Sequence, residues 1–132
     1  MRTIKFRAWD KTKKVMTRPI ASLIFGLGGN LREISEHDGY LGEIFSPIAH
    51  IEIMQFTGLL DRNGKEIYEG DVVKCGNMAY DGVIIFNENI SGWGYEFINK
   101  PEGKVICHFS KKNTEHSIII GNIYEHPELI KQ

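Results

Sequence analysis

Three carboxylates lie close together in this sequence, and side chains of this type could do acid and base chemistry. Glu66, Glu69 and Asp71 fall within six residues, around a Glu-Gly-Asp bend. Paired carboxylates act as general acid and base when their surroundings separate their pKa values. In turns, such side chains more often accept backbone hydrogen bonds or face water. We therefore interpret the three as turn residues, and a hydrolase built on them ranks behind two binding hypotheses.

Other patterns of chemically active residues are incomplete. Cys75, Cys107 and His108 lack the spacing of zinc ligands, and neighbouring residues on a strand point to opposite faces. "GLGGN" (26–30) lacks the third glycine of a dinucleotide fingerprint and the Lys-Ser/Thr of a P-loop. Ser91-Gly-Trp-Gly is not a nucleophile elbow. We predict no catalytic residue, no metal and no cofactor, and we interpret both cysteines as buried thiols.

Charge is distributed unevenly along the chain. Residues 1–18 contain seven Lys or Arg residues and one acid, a net charge of +6, although the whole chain carries −1. Such a segment either binds an anionic partner or is offset by an acidic body. Interleaved aromatic residues would let it bind single-stranded nucleic acid by stacking. The candidate nucleic-acid-binding residues are Lys5, Arg7, Trp9, Lys11, Lys13 and Lys14.

The elements that must position these residues are short strands. Alternating runs and glycines dominate, and the spacing of a long amphipathic helix is missing. The pattern predicts a mainly β protein, a small barrel-like or SH3-like fold with a short C-terminal helical turn at Pro127.

Individual strands and turns are also predicted. Residues 3–9 alternate as a half-buried strand with Ile4 inside, Arg7 facing solvent, and Trp9 exposed near its end. Asn63-Gly64 indicates a hairpin with a type I′ turn, and Asp81-Gly82 indicates a second turn. Residues 36–49 have the least regular pattern.

Composition limits the class of protein. At 132 residues, with 42% hydrophobic and 25% charged residues, the chain suits one globular domain. Its longest apolar runs fall far short of a membrane span, and its first residues lack a secretory signal pattern. We expect a cytoplasmic protein with no membrane partner.

Three sequence blocks together resemble the YopX family: "IKFRAWD" near the start, "MQFTGLLDRNGKEIYEGDVV" in the centre and "IIGNIYEHPEL" near the end. The resemblance implies a mainly β fold with a barrel-like part, a protein carried by a phage or prophage in a bacterial host, and no known reaction. Residues 20–50 lie outside these blocks, so specificity peculiar to this chain could reside there. The positions that match the signature are Trp9, Asp10, Gln55, Thr57, Gly58, Asp61, Gly64, Tyr68, Gly70, Asp71, Gly121, Asn122, Tyr124 and Pro127.

The sequence therefore supports a non-enzymatic accessory protein. We expect a single YopX-like domain over residues 1–132, divisible into an N-terminal lobe (1–57) and a barrel-like part (58–132). The leading hypothesis is a module that binds a host or phage protein, or a second copy of itself, because exposed strand edges can pair with another chain. The alternative is a nucleic-acid-binding protein that uses the basic N-terminal strand and turn.

Overall fold

The computed structural model describes residues 2–130 and consists mainly of short antiparallel strands. Residues 1, 131 and 132 of the predicted domain lie outside the described range. The strands are β1 (Phe6–Asp10), β2 (Val15–Met16), β3 (Ile20–Phe25), β4 (Leu31–His37), β5 (Glu43–Pro47), β6 (Ile51–Leu60), β7 (Glu66–Tyr68), β8 (Asp71–Cys75), β9 (Gly82–Asn87), β10 (Gly92–Phe97), β11 (Ile106–His108) and β12 (Ser117–Asn122). The helical segments are α1 (Lys111–Thr114) and two 3₁₀ turns, Ile48–His50 and Pro127–Ile130.

The predicted fold class is confirmed, since curled sheets form a half-barrel and a helical turn begins at Pro127. The chain divides into two compact units. The N-terminal unit is Phe6–Met54; the C-terminal unit joins Met1–Lys5 to Gln55–Gln132, of which residues 2–5 and 55–130 are described. No helix among the described residues is both long and apolar enough to span a membrane.

The N-terminal unit contains the β1–β2 hairpin and an antiparallel sheet of order β3-β4-β5. Its core forms around Ala8, Ile34 and Ile51, all at most 4% exposed, with Leu23 and Ile20 packed against them. Alternation along β4 explains this arrangement, because Ile34 points into the core while the flanking Glu33 does not.

The C-terminal unit is built on a five-stranded antiparallel sheet of order β11-β10-β9-β8-β12, together with the β6–β7 hairpin. Tyr95 lies at its centre, fully buried and stacked on Phe109 at 5.8 Å between ring centroids. The Tyr95 hydroxyl lies 2.8 Å from the carbonyls of Val73 and of Tyr80. Burial raises the pKa of the Tyr95 phenol, which therefore stays protonated.

Both predicted turns differ from expectation. At Asn63-Gly64 only Gly64 has positive φ, at +82°, and its N–H donates to the Asp61 carbonyl at 3.0 Å. The prediction of type I′ was wrong: the connection is the longer kind that ends with glycine in the left-handed region. The turn predicted at Asp81-Gly82 is displaced: residues 76–81 connect β8 to β9, and Gly82 is already the first residue of β9.

The N-terminal expectations need three corrections. Ile4 is 62% exposed and precedes β1, so it does not lie inside the protein. Arg7 and Trp9 are both half-buried, so neither is exposed as predicted. Residues 36–49 are more regular than predicted, because they contain the end of β4 and all of β5.

Gly82 is required by the core, and this gives a test of the fold. A Cβ built on Gly82 would overlap the ring of Tyr95, which cannot move because it is buried and hydrogen-bonded. We expect Gly82→Ala to lower the free energy of unfolding by about 2 to 4 kcal/mol, measured by urea denaturation.

The matched control is Gly76→Ala. A Cβ there would meet nothing closer than 3.8 Å, so we expect a change within about 1 kcal/mol. Equal stability of the two variants would show that the Tyr95 ring does not occupy this position.

Candidate binding surface

The loop between β4 and β5 is fixed by one carboxylate. Oδ1 of Asp38 accepts hydrogen bonds from the N–H groups of Tyr40 at 2.7 Å and Gly42 at 3.1 Å. The Asp38 N–H donates to the Gly42 carbonyl at 3.2 Å, and Gly39 supplies the positive φ, +92°, that the turn needs. Short Asp side chains commonly close turns in this way. The loop therefore carries its own internal hydrogen bonds.

These contacts influence the ionisation of Asp38. The hydrogen bond from the Tyr40 N–H is the largest influence and, together with that from Gly42, holds the pKa of Asp38 below its usual value. The guanidinium of Arg18 hydrogen-bonds the carbonyl of Asp38 and also favours the charged carboxylate. The carboxylate form and the loop conformation thus stabilise each other.

The fixed loop presents apolar side chains to solvent. Tyr40 is 84% exposed and Leu41 is 103% exposed, and Ile44 and Phe45 on the adjoining β5 are 41% and 54% exposed. Single exposed apolar residues are ordinary, but four within six consecutive positions concentrate exposed apolar side chains on this hairpin, with Ile44 and Phe45 projecting to opposite faces of β5. We call these four residues the hairpin surface.

A polar network supports this surface from β4. Ser35 is completely buried, with its Oγ 2.6 Å from Ser22 Oγ and 2.6 Å from Oε1 of Glu43. Ser35 pairs with Phe45 in the strand register, so this network lies on the face from which Phe45 projects. It ties both outer strands to β4.

The predicted nucleic-acid-binding residues are divided between the two units. Lys5 belongs to the C-terminal unit, where Oε2 of Glu66 lies 2.7 Å from Nζ and raises the pKa of Lys5. The other five lie in the N-terminal unit. Arg7 Nε contacts Met54 Sδ at 3.4 Å, and Lys11 pairs with Glu52 at 3.5 Å.

Lys13 and Lys14 are exposed on the β1–β2 turn. The N-terminal unit holds six Lys or Arg residues and six Asp or Glu residues, so its formal net charge is zero. The positive charge of residues 6–18 is thus offset within the N-terminal unit, although the turn itself remains cationic.

The three carboxylates around the Glu-Gly-Asp bend have different partners. Glu66 pairs with Lys5 and accepts a hydrogen bond from the Tyr68 hydroxyl at 3.3 Å. Oε1 of Glu69 lies 3.4 Å from the Gln55 N–H. Asp71 is 1% exposed and accepts the Tyr68 N–H at 2.7 Å. Two of the three therefore bind backbone groups, as turn carboxylates commonly do.

Cys75 and Cys107 are both free thiols. Cys75 is buried, and its Sγ donates to the side-chain Oδ1 of Asn77 at 2.7 Å, whereas Cys107 is only half-buried. The prediction of two buried thiols was therefore right for Cys75 alone. Within residues 2–130, no group of three His, Cys, Asp or Glu side chains is placed to hold a metal.

The signature residues mainly build turns. Asp10 accepts the N–H groups of Thr12 and Lys13 in the β1–β2 turn, at 2.9 and 3.0 Å. Asn122 Oδ1 accepts those of Tyr124 and Glu125 at 3.0 and 2.8 Å.

Other signature residues shape the β6–β7 hairpin. Gly58 has φ of +85° within an irregularity of β6, beside Thr57, whose hydroxyl donates to the Ile67 carbonyl at 2.8 Å. Gly70 has φ of +87° at the bend before β8. These positions form a framework, and they are distinct from the hairpin surface.

Sequence reasoning did not identify Tyr40, Leu41, Ile44 or Phe45 individually. It did assign specificity to the region 20–50, which contains them. The available signal was an aromatic-aliphatic pair between Gly39 and Gly42, in a turn where polar residues are usual.

Comparison with known proteins agrees with this framework. The family described as YopX protein matches residues 5–131. Protein EF1440 from Enterococcus faecalis is similar in structure, with a TM-score of 0.71 and 25% identity over 99% of this chain and 100% of that chain. Protein YopX from Bacillus subtilis shares the fold, with a TM-score of 0.56 and 17% identity over 100% of this chain and 98% of that chain. No curated protein matches the chain.

The Asp38 contacts predict a pH-dependent loop. The pKa of Asp38 is lowered in the folded state. The stabilisation that its carboxylate gives to the folded loop is therefore complete above the ordinary aspartate pKa and is lost as pH falls through the lowered value. We expect the backbone N–H resonances of Tyr40 and Gly42 to shift together below about pH 4. A titration followed by ¹H–¹⁵N NMR would measure this.

The control is Asp38→Asn, which retains an acceptor oxygen but cannot titrate. Its two resonances should remain unchanged over the same range. If they titrate as in the parent chain, a group other than Asp38 controls the loop.

Proposed function

This chain belongs to the YopX family, and from that premise we propose that it is a phage or prophage accessory protein that acts by binding another protein. Its partner is a host or phage protein in the bacterial cytoplasm. The proposal rests on one observation, the exposure of Tyr40 and Leu41 on a loop fixed by its own hydrogen bonds.

The hairpin surface has the properties of a protein-binding anchor. Interface hot spots are commonly large side chains that enter a pocket on the partner, and aromatic residues are enriched among them. A loop that is already ordered loses less conformational entropy on binding. Tyr40 and Leu41 are large, exposed side chains on a backbone that is already ordered, because the Asp38 carboxylate binds the N–H groups of Tyr40 and Gly42.

The charge of the β4–β5 loop indicates which charged residues a partner should carry. Residues 36–43 contain Glu36, Asp38 and Glu43 and no Lys or Arg, so the loop stays net negative after the one positive charge of Arg18, which bonds the Asp38 carbonyl. Charged groups at an interface favour a partner of complementary potential. The proposed partner therefore has an apolar pocket with Lys or Arg residues around its rim.

Leu41→Ser tests this function. Because Leu41 is fully exposed, the substitution should leave the free energy of unfolding within about 0.5 kcal/mol of the parent value. Binding to the partner should weaken about 30-fold or more, as expected of a hot spot. Partners would be captured from nuclease-treated host lysate, quantified by mass spectrometry, and their affinities measured with purified protein.

Leu27→Ser is the matched control. Leu27 is 112% exposed in the β3–β4 loop, which lies at the opposite end of the antiparallel sheet. This variant should retain the captured partner. A partner retained equally by both variants would exclude the hairpin surface as the binding site.

Nucleic-acid binding is a second candidate function, favoured by the exposure of Lys13 and Lys14 on one tight turn. Phosphate contacts of this kind release counterions and make affinity depend steeply on salt. We expect the double variant Lys13→Ala, Lys14→Ala to reduce the slope of log affinity against log salt by about 1 to 2. Fluorescence anisotropy with labelled single-stranded oligonucleotides, at low and near-physiological salt, would measure it.

The control replaces Lys111 and Lys112, which are equally exposed on α1, with alanine. An unchanged slope in the Lys13, Lys14 variant, or oligonucleotide binding too weak to detect in the parent chain, would exclude this second function.

A further inference from the structure

The hydrogen-bond pattern of β4 shows which backbone groups of β5 face away from the sheet. The His37 N–H donates to the Pro19 carbonyl at 3.1 Å, on the side of β3. Successive residues of a central antiparallel strand bond alternately to its two neighbours. The next residue, Asp38, donates its N–H to the Gly42 carbonyl on the other side, beside β5, as this alternation requires.

The alternation continues along the register of β5. Glu36 pairs with Ile44 and Ile34 pairs with Ser46, so Ile44 and Ser46 use their backbone groups to bond β4. The N–H and C=O groups of the intervening Phe45, and those of Glu43, consequently point to the free edge. β5 is the last strand of the β3-β4-β5 sheet on this side.

The β12 edge of the five-stranded sheet, unlike the β5 edge, is covered by another part of the described chain. On β12, the Ile119 N–H donates to Asp61 Oδ2 at 3.1 Å, and the Ser117 carbonyl accepts the Arg62 N–H at 2.8 Å. The β6–β7 turn therefore satisfies that edge. The strand pairing of β5 is with β4, and Phe45 is 54% exposed.

We propose that β5 pairs antiparallel with β5 of a second copy of this chain, about a two-fold axis at Phe45. This inference rests on the proposed function, because it assigns the same hairpin to protein binding and identifies one partner. The two Phe45 residues exchange two backbone hydrogen bonds. Each Glu43 N–H lies opposite the Pro47 carbonyl of the other copy. That carbonyl caps the 3₁₀ turn Ile48–His50 and accepts the Glu43 N–H through its second lone pair, for four hydrogen bonds in total.

The side chains and charges of β5 suit this register. Phe45 faces Phe45 of the second copy, an aromatic cross-strand pair of the kind that stabilises sheets. Ile44 faces Ser46 of the second copy. Glu43 faces Pro47 rather than a second carboxylate, so no like charges are directly opposed. Pro47, which lacks an N–H, ends the pairing.

The short strand also determines how stable the dimer can be. Five residues of strand pairing bury less than the roughly 1,200 Å² of a stable interface. The dimer is therefore weak and concentration-dependent, in exchange with the monomer of 15.1 kDa.

Cysteine cross-linking tests the register. With the axis at Phe45, the Cα atoms of the two residues 45 are about 5.5 Å apart, within the range for a disulfide. We expect Phe45→Cys to form at least ten times more disulfide-linked dimer under mild oxidation than Ile44→Cys, whose cysteine faces Ser46. The parent chain, with Cys75 and Cys107, measures the background.

Sedimentation velocity gives a second readout that needs no cysteine. The average mass of the parent chain should rise above the monomer value with concentration, and Phe45→Lys should remain monomeric, because two ammonium groups would meet at the axis. Equal cross-linking of the 44 and 45 variants, cross-linking at 44 alone, or a strictly monomeric parent chain would overturn the inference.

The two proposals can fail separately. Leu41→Ser should retain cross-linking through an added Phe45→Cys, because position 41 lies outside the paired strand. A dimer that fails to form, with Leu41→Ser still losing its captured partner, overturns the β5 pairing and retains the proposed function. A dimer that forms while Leu41→Ser captures the same partners as Leu27→Ser supports the pairing and overturns the binding role of the loop.

Discussion

The carboxylate of Asp61 joins two separate parts of the C-terminal unit. Its Oδ1 accepts the N–H groups of Asn63 and Lys65, both at 2.9 Å, and thereby closes the β6–β7 turn. Its Oδ2 accepts the N–H of Ile119 and thereby attaches that turn to the edge of β12. The side chain is 7% exposed, so each of these backbone donors would lose a partner away from bulk water if Asp61 were removed. The Asp61 carboxylate and the neighbouring Arg62 N–H, which donates to the Ser117 carbonyl, together hold this turn against the edge of the five-stranded sheet.

Hydrogen bonds from backbone N–H groups to a side-chain oxygen recur at other turns and explain the polar signature positions. Asp10, Asp38, Asp71 and Asn122 each accept backbone N–H groups near themselves in the sequence. A carboxylate or amide oxygen satisfies orphan donors where a strand ends, and its short side chain reaches only a few residues. Asp and Asn at these positions are therefore used for structure, which accounts for these side chains without grouping them into one site.

Much of the fold could be predicted from the sequence because the signals are local. Alternation predicted a strand over residues 3–9, which overlaps β1, and Pro127 predicted the terminal helical turn. The errors concern distant contacts. Gly82 has the residue type of a turn but lies in a strand. Glycine is needed there because the Tyr95 ring, thirteen residues later, occupies the space that a side chain would fill. Ile4 fits the alternating pattern yet lies outside β1. The hairpin surface was missed because exposed apolar residues are distinguished from core residues only by the completed fold.

The backbone conformation of the β4–β5 loop does not depend on the side chains at its exposed positions. Asp38 holds the loop through the backbone N–H groups of residues 40 and 42, and every residue except proline supplies such a group. The side chains at positions 40 and 41 make no contribution to these bonds. New side chains can therefore be exchanged at these two positions with little effect on the conformation that displays them. The loop backbone keeps its conformation while the two exposed side chains vary, so the same fold could acquire a different partner by changing two residues.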